Sequence, residues 1–440
     1  MKQKVLATVN NYADLFALQS TQPESYLSLL QYVQNRAVKK MRKKEKISLA
    51  FVVSTIATWI GDQTVRFFMD DSRFDVTVVI VWQKNMVKEH EERLAVEHFR
   101  NAGIPYIIAD DQTTAADYDV LFYCVPYLDM LDSHFDLKDI PLNSLICYTG
   151  YGIMQAAIER WQFNLPIHNC CWMHYSHVAM YADMAKEFCG IGAANMVCSG
   201  YPKMDSLVDG RADADTEWSK LWKVSSCGAS PLKIVYAPHH SINDTPYFST
   251  FQHNFKFFYE YAKAHADTTS WVVKPHPLLR ITSVKEGVFQ SEDEFEHYLK
   301  MWEDLPNARV LDGEYIGIFP TSDCMILDSV SFCAEYLYVH KPILFLTRPG
   351  EQFNALGAKI STALYRVDGR DFSGIQEFIE KTARQDPNKP QREDLFHEEL
   401  DYFSDNHMTA AEYIYHSIAE KFHRSGAVDL LTRVFRRSHE

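Results

Sequence analysis

The sequence is short of several patterns that would fix a class at once. It has no C-x-x-C pair and no zinc-spaced cysteine set, and its nine cysteines fall mostly inside apolar runs, where a thiol behaves as a small core hydrophobe. That usage fits a reducing cytoplasm. No window approaches about 18 uncharged apolar residues, so no membrane span is expected. The N-terminal MKQKVLATVNNYADLF lacks the apolar core and cleavage site of a secretory signal. Positive charge is in deficit: 44 Lys and Arg stand against 58 Asp and Glu, a formal charge of −14 that repels a phosphate backbone and removes nucleic acid from the expected partners. Internal repeats, a Walker loop, H-E-x-x-H and G-x-S-x-G are also missing.

What remains is a chain of 440 residues, 47% hydrophobic and 23% charged, enough for two or three ordinary soluble domains. From Ile47 short β-branched runs alternate with longer helical ones. ISLAFVVST reads as a strand, IATWIGDQTVRFFMDDS as a helix, FDVTVVIVW as a strand and KEHEERLAVEHFRNAG as a helix closed by glycine, followed by the strands IPYIIAD, DVLFYCVPY and SLICYTGYG. A polar stretch then separates Asp205 from Lys233, and the alternation restarts: KIVYAPHHS, a helix from FSTFQ onward, WVVKPHP, a helix over EDEFEHYLKMWEDL, then ARVLDG, CMILDS, a helix over VSFCAEYLYVHK, and PILFLTR.

Repeated β-α-β of this kind predicts an α/β protein with two doubly wound, Rossmann-like domains. The expected boundaries are a basic helical arm over 1–46, a first domain over 47–205, a linker over 206–232, a second domain over 233–400, and C-terminal helices over 401–440 packing back on the first. In such sheets ligands bind beyond the carboxyl ends of the strands, so a crevice between two facing domains is the expected site.

Two signals are set aside. CGIGAAN (Cys189 to Asn195) lacks the third glycine of G-x-G-x-x-G and does not follow a strand, so a helix-ending loop is expected. Asp213 and Asp215 form an Asp-x-Asp without an apolar strand before it. Nothing in the sequence calls for a metal or a cofactor.

The retained candidates lie just past predicted strands: YTGYG with Tyr148, Thr149 and Gly150; SGYPKMD with Tyr201, Lys203 and Asp205; YAPHHS with His239 and His240; KPHP with Lys274 and His276; and DSVS with Asp328, Ser329 and Ser331 opening a helix. Hydroxyls and unpaired backbone N–H groups at a helix N-terminus form an anion site, unless Asp328 or Ser329 merely caps the helix. Three imidazoles on two neighbouring strand ends suit phosphate binding or proton transfer. Two basic patches, Arg36 to Lys46 and the C-terminal LLTRVFRRSHE, suit an anionic membrane surface, the plainer reading being solvated helix faces.

The order GYPKMD, IVYAPHH, VVKPHP and CMILDSVSFCAEYLYVHKPILFL resembles the CDP-glycerol glycerophosphotransferase family, whose members prime and polymerise teichoic acids and related capsule polymers. The similarity covers Asn195 to Leu346, and ICYTGYGI and IHNCCWMHYS are similar to variants of the family. The resemblance implies a GT-B arrangement with an N-terminal acceptor domain and the nucleotide-linked donor held by the C-terminal one. It places Asp205 on the aspartate closing the Gly-Tyr-Pro motif, His276 on the His-Pro histidine, Asp328 and Ser331 on an Asp-x-x-Ser phosphate loop, and Glu335 where an aspartate follows one turn later. The chain departs at two points. Tyr148-Thr149-Gly150 stands where teichoic acid polymerases carry Trp-His-Gly, and threonine cannot act as that base. Ala237-Pro238-His239-His240 replaces Ala-Pro-Thr and an aromatic.

The function so implied is transfer of a polyol-phosphate, glycerol-phosphate first, from a CDP-linked donor to a hydroxyl of a cell-surface saccharide or polyol-phosphate precursor, lipid-linked, with release of CMP. His276, His239, Ser329 and Ser331 are the expected phosphate ligands, Lys274 adds charge, His240 is a further candidate, and Asp205 orients the acceptor or serves as base. A nucleotide-sugar glycosyltransferase and a catalytically lapsed nucleotide-binding scaffold are the competing readings. The expected location is the cytoplasm, peripheral to the inner face of the membrane.

Overall fold

The computed structural model describes residues 6–132, 134–210, 218, 230–313 and 315–423. Asp213 and Asp215, most of the expected linker, and the C-terminal basic patch lie outside the described residues.

Seven parallel strands form the first sheet: β1 (Ile47–Val53), β2 (Phe74–Ile80), β3 (Tyr106–Ile108), β4 (Val120–Tyr123), β5 (Leu145–Thr149), β6 (Met173–Ser176) and β7 (Met196–Cys198), in the order β3-β2-β1-β4-β5-β6-β7. Six make the second: β8 (Leu232–Ala237), β9 (Thr269–Val273), β10 (Ala308–Val310), β11 (Cys324–Leu327), β12 (Ile343–Thr347) and β13 (Tyr365–Asp368), in the order β10-β9-β8-β11-β12-β13. Both are doubly wound sheets whose strand order reverses beside their first strand, between β1 and β4 and between β8 and β11. Crevices at such switch points take ligands.

Parallel sheets must be covered on both faces, and β1 shows how the sequence does this. Leu49, Phe51 and Val53 join the core on one face, while Ala50 and Val52 join the core on the other. The second face is covered by the N-terminal helices α1 (Tyr12–Thr21) and α2 (Pro23–Met41) through Tyr12, Leu15, Tyr26, Leu29 and Leu30. Tyr12 and Tyr26 also donate to the carbonyls of Ser144 and Asn169, each at 2.9 Å. The end of α2 buries Ala37, Val38 and Met41 and leaves Arg36, Lys39, Lys40, Lys43 and Lys46 exposed.

In the second half, α3 (Phe251–Ala264) and α4 (Val330–Leu337) flank the switch point. The last long helix, α5 (Ala410–Ala419), returns to the first sheet, where Ile414, Ile418 and Phe422 join the Leu49–Phe51 core.

The structure departs from the sequence reading at the end of β1. The predicted helix over 56–72 divides into a 3-10 turn, Ile56–Thr58, and a helix, Asp62–Met69, because Gly61 sits at φ +105°, which L-residues avoid. A Cβ there would meet the Pro202 carbonyl oxygen at 3.5 Å, an ordinary contact, so it is the backbone angle that calls for glycine. CGIGAAN follows a helix that ends at Phe188, as expected.

Candidate active site

The loops after β9, β8 and β11 are neighbours because their strands pair, with Tyr236 beside Val273 and Ala237 beside Leu327. That pairing brings together the histidines the sequence placed on separate loops. Ring centroids lie 4.4 Å apart for His239 and His240, 4.2 Å for His240 and His276, and 5.2 Å for His239 and His276. The loops are also tied to each other: the His276 N–H donates to the Pro238 carbonyl at 3.1 Å.

Two of the rings are fixed as to tautomer. His239 Nδ1 accepts the Ser241 N–H at 3.2 Å and lies 2.8 Å from the Ser241 hydroxyl, which itself accepts the Phe248 N–H at 3.0 Å. His276 Nδ1 accepts the Leu278 N–H at 3.1 Å. A nitrogen accepting from an amide carries no proton, so each neutral ring bears its proton on Nε2. Burial holds His239 and His276 well below the ordinary imidazole range and takes His240 down to about 4; the proximity of the other imidazoles lowers His276 further, as does Lys274. At neutral pH the cluster is uncharged and offers N–H donors.

This geometry also bears on metal binding. One ring nitrogen from each of the three histidines lies within 4.8 Å of the other two, close enough for a shared cation. A cation at Nε2 would need Nδ1–H to point at an acceptor, as in histidine metal sites generally. At His239 and His276 an amide N–H occupies that position, so the donor set suits an anion.

Asp328 holds this arrangement from behind. It is 1% exposed; Oδ1 accepts the His239 N–H at 2.6 Å, and Oδ2 accepts the Thr250 N–H and hydroxyl, the latter at 2.8 Å. Burial pushes its carboxyl up to about 6, against the pull of those donors. Asp328 is therefore a brace, with both oxygens turned inward. Ser329 sits at the N-cap position of α4, yet neither it nor Asp328 caps the helix through its side chain. The first N–H groups of α4 lack intrahelical partners and carry the positive end of the helix dipole. Ser331, in the first turn, is half-buried.

The first domain faces this point through the loop after β5. A Cβ on Gly152 would stand 3.5 Å from Ser331 Cβ and 4.0 Å from Glu335 Oε1. Glu335 is buried and accepts the Tyr315 hydroxyl at 2.6 Å. Tyr148 and Thr149 are buried at the end of β5, Gly150 follows them, and the Thr149 hydroxyl lies 3.2 Å from His177 Nε2. His177 also stacks on Tyr201 with centroids 4.2 Å apart. The imidazole beside residue 149 thus comes from the end of β6. Sequence reading missed it because MHYS was not recognised as a strand; had it been, the same strand-end criterion would have selected His177.

Three candidates lie away from the histidines. Asp205 is 2% exposed, accepts the Tyr402 hydroxyl at 2.6 Å and the Ala410 and Ala411 N–H groups at 2.8 and 2.9 Å, and so anchors the N-terminus of α5. Gly200, at φ +85°, leaves room for the Tyr402 ring, which a Cβ would meet at 2.0 Å. Lys203 donates to the Ala57 carbonyl at 3.1 Å and lies 4.4 Å over the Tyr315 ring. Tyr201 donates to the Tyr151 carbonyl at 2.6 Å. Lys274 is buried beside His276.

The Asp205 contacts set an expectation. Asp205→Asn should cost about 1–3 kcal/mol of stability by replacing an oxygen with a donor among donors, while turnover per folded molecule stays near the parent value. Denaturant midpoints at constant m-value check the first, and steady-state kinetics the second. A large loss of turnover at parent stability would instead make Asp205 part of the chemistry.

The model of the CDP-glycerol:poly(glycerophosphate) glycerophosphotransferase family matches residues 157–420, well over half of the chain. The chain belongs to that family. No curated protein sequence matches it. Among solved structures, this glycerophosphotransferase is similar to a variant of the wall teichoic acid polymerase TagF at 13% identity and TM-score 0.56, covering 91% of this chain and 98% of that one. A second TagF structure gives 12% identity and TM-score 0.52 over 92% and 98%. S. aureus MnaA in complex with UDP gives 12% identity and TM-score 0.50 over 84% and 96%. At these identities the likeness concerns the fold, which is the GT-B arrangement of two facing Rossmann-like domains. Among the described residues of the glycerophosphotransferase, no helix is long and apolar enough to cross a membrane.

Proposed function

We propose that this enzyme transfers glycerol-phosphate from CDP-glycerol to a hydroxyl of a surface-polymer precursor, with release of CMP. The observation that carries the reading is the convergence, at the β8–β11 switch point, of two imidazoles held as Nε2–H donors with the uncapped N-terminus of α4. In the reaction the acceptor oxygen attacks the phosphorus bearing the glycerol, the bond to the bridging oxygen breaks, and the electron pair leaves with CMP. The acceptor's proton is given up to the solvent or to the product phosphate. Preorganised donors at the bridging and non-bridging oxygens stabilise the charge that develops there.

His239, His276, Ser329 and Ser331 would hold the diphosphate, with His240 and Lys274 beside them. Glu335 would lie toward the polyol or ribose hydroxyls. Tyr148, Thr149 and Gly150, backed by His177, would form the acceptor side. A lipid-linked acceptor fits the exposed basic face at Arg36, Lys39, Lys40 and Lys43, and flotation with anionic against neutral vesicles separates that from a merely solvated face.

Thermal-shift titration tests the donor. CDP-glycerol and CMP should raise the melting temperature through selective binding to the folded state, with UDP-sugars having little effect. A shift with UDP-sugars and none with cytidine nucleotides would favour the glycosyltransferase reading.

A further inference from the structure

Beside Thr250, a cavity of about 140 Å³ opens between the N-terminus of α3 and the ends of β12 and β13. Its lining includes Thr250, His253, Thr347, Arg348, Asp368 and Arg370. Two guanidinium groups and one carboxylate leave an excess of positive charge in a chain whose overall charge is −14.

The cations are set in place. Arg348 Nη1 donates to the carbonyls of Ile242 and Ser249 at 2.5 and 2.8 Å, which fixes the guanidinium at the cavity wall. Arg370 Nη2 lies 2.9 Å from His253 Nε2. Arginine only donates, so that nitrogen is the acceptor and the neutral ring carries its proton on Nδ1. Burial, then Arg370 and Arg348, lower the His253 pKa and keep the ring neutral at pH 7. Asp368, the one carboxylate of the lining, accepts the Arg370 N–H at 2.8 Å. The floor needs glycine, since a Cβ on Gly369 would meet Thr250 Cβ at 2.5 Å.

We propose that this cavity is a second oxyanion site, taking a phosphate-sized group, either inorganic phosphate or the phosphate of a monoester, through Arg348, Arg370 and Thr347. Arginine forks match tetrahedral oxyanions bidentately, and a group already pinned loses little freedom on binding. The site is distinct from the histidine cluster but shares a wall with it, because Thr250 donates to the same Asp328 carboxylate that accepts the His239 N–H. It does not rest on the donor assignment above.

Calorimetric titration of the full chain, at constant ionic strength, with sodium phosphate and separately with CMP tests the proposal. Phosphate should bind the parent protein, Arg370→Gln should weaken it about tenfold to a hundredfold, Arg370→Lys should recover part of the loss, and His276→Ala should leave it within about threefold. CMP competing with phosphate in the His276→Ala protein would make a monoester the source; no competition would make it free phosphate. Absence of phosphate binding, binding indifferent to Arg370→Gln, or binding abolished by His276→Ala would each overturn the second site. CDP-glycerol binding, read in the thermal-shift titration, decides the donor assignment separately.

Discussion

Replacing His276 with alanine is expected to lower kcat by about 10² to 10³, the scale for removing one preorganised donor from a developing oxyanion, with the fold intact. The expectation rests on the ring's fixed orientation. Leu278 N–H holds Nδ1, so Nε2–H faces the cluster, and alanine deletes that donor without disturbing the His276 N–H bond to the Pro238 carbonyl. His276→Gln retains an N–H donor and cannot titrate. It should restore part of the rate if the ring acts electrostatically and none if it transfers a proton. Loss of thermal stability in both variants, with turnover per folded molecule unchanged, would make His276 a structural residue.

The second large effect is acid instability. Burial lowers His168, His239 and His276 well below the imidazole range, His240 to about 4, and His174 and His177 to about 3. In the unfolded chain these rings titrate near 6.5. A folded pKa below the unfolded one gives stability that is complete above the unfolded value and is lost as pH falls toward the folded value. Asp205 and Asp328 work the other way: raised to about 6, they keep protons that the unfolded chain releases, and regain stability as pH falls from about 6. The six histidines outweigh the two carboxylates. With about four more protons bound by the unfolded chain, stability should fall by roughly 5 kcal/mol per pH unit at its steepest, against a typical total of about 5 to 15. Melting temperatures between pH 7 and pH 5 should drop steeply; a flat profile would mean that these rings are accessible and titrate normally.

The alternation from Ile47 onward identified both sheets because continuous β-branched runs and amphipathic helices carry their own periodicity. Among the elements not identified were β6, β7, β13 and the helices Glu159–Phe163, Leu279–Lys285, Ala355–Ser361 and Lys389–Glu399. MHYS and YRVD are short and rich in polar residues, so their burial follows from neighbours that periodicity cannot show. Strand-end position correctly drew His239, His240 and His276 to one place. It did not separate the residues that face the crevice from those that brace it. Asp205 is directed by Tyr402 and Ala410, some two hundred positions away, and Asp328 by Thr250 and the His239 backbone. Asp205 closes its motif and Asp328 opens its own, and each supplies an acceptor for backbone donors. His177 shows the converse, an imidazole beside Thr149 that comes from the next strand.

The most direct measurement is product analysis after incubating the purified full-length protein with CDP-glycerol and a panel of hydroxyl acceptors, with phosphorus NMR following the donor. The expected result is loss of the diphosphate signals, with CMP and a new phosphodiester appearing in equal amounts, and both forming about 10² to 10³ times more slowly with the His276→Ala protein. Turnover of a nucleotide-sugar to nucleoside diphosphate and a glycoside, with CDP-glycerol left intact, would contradict the account.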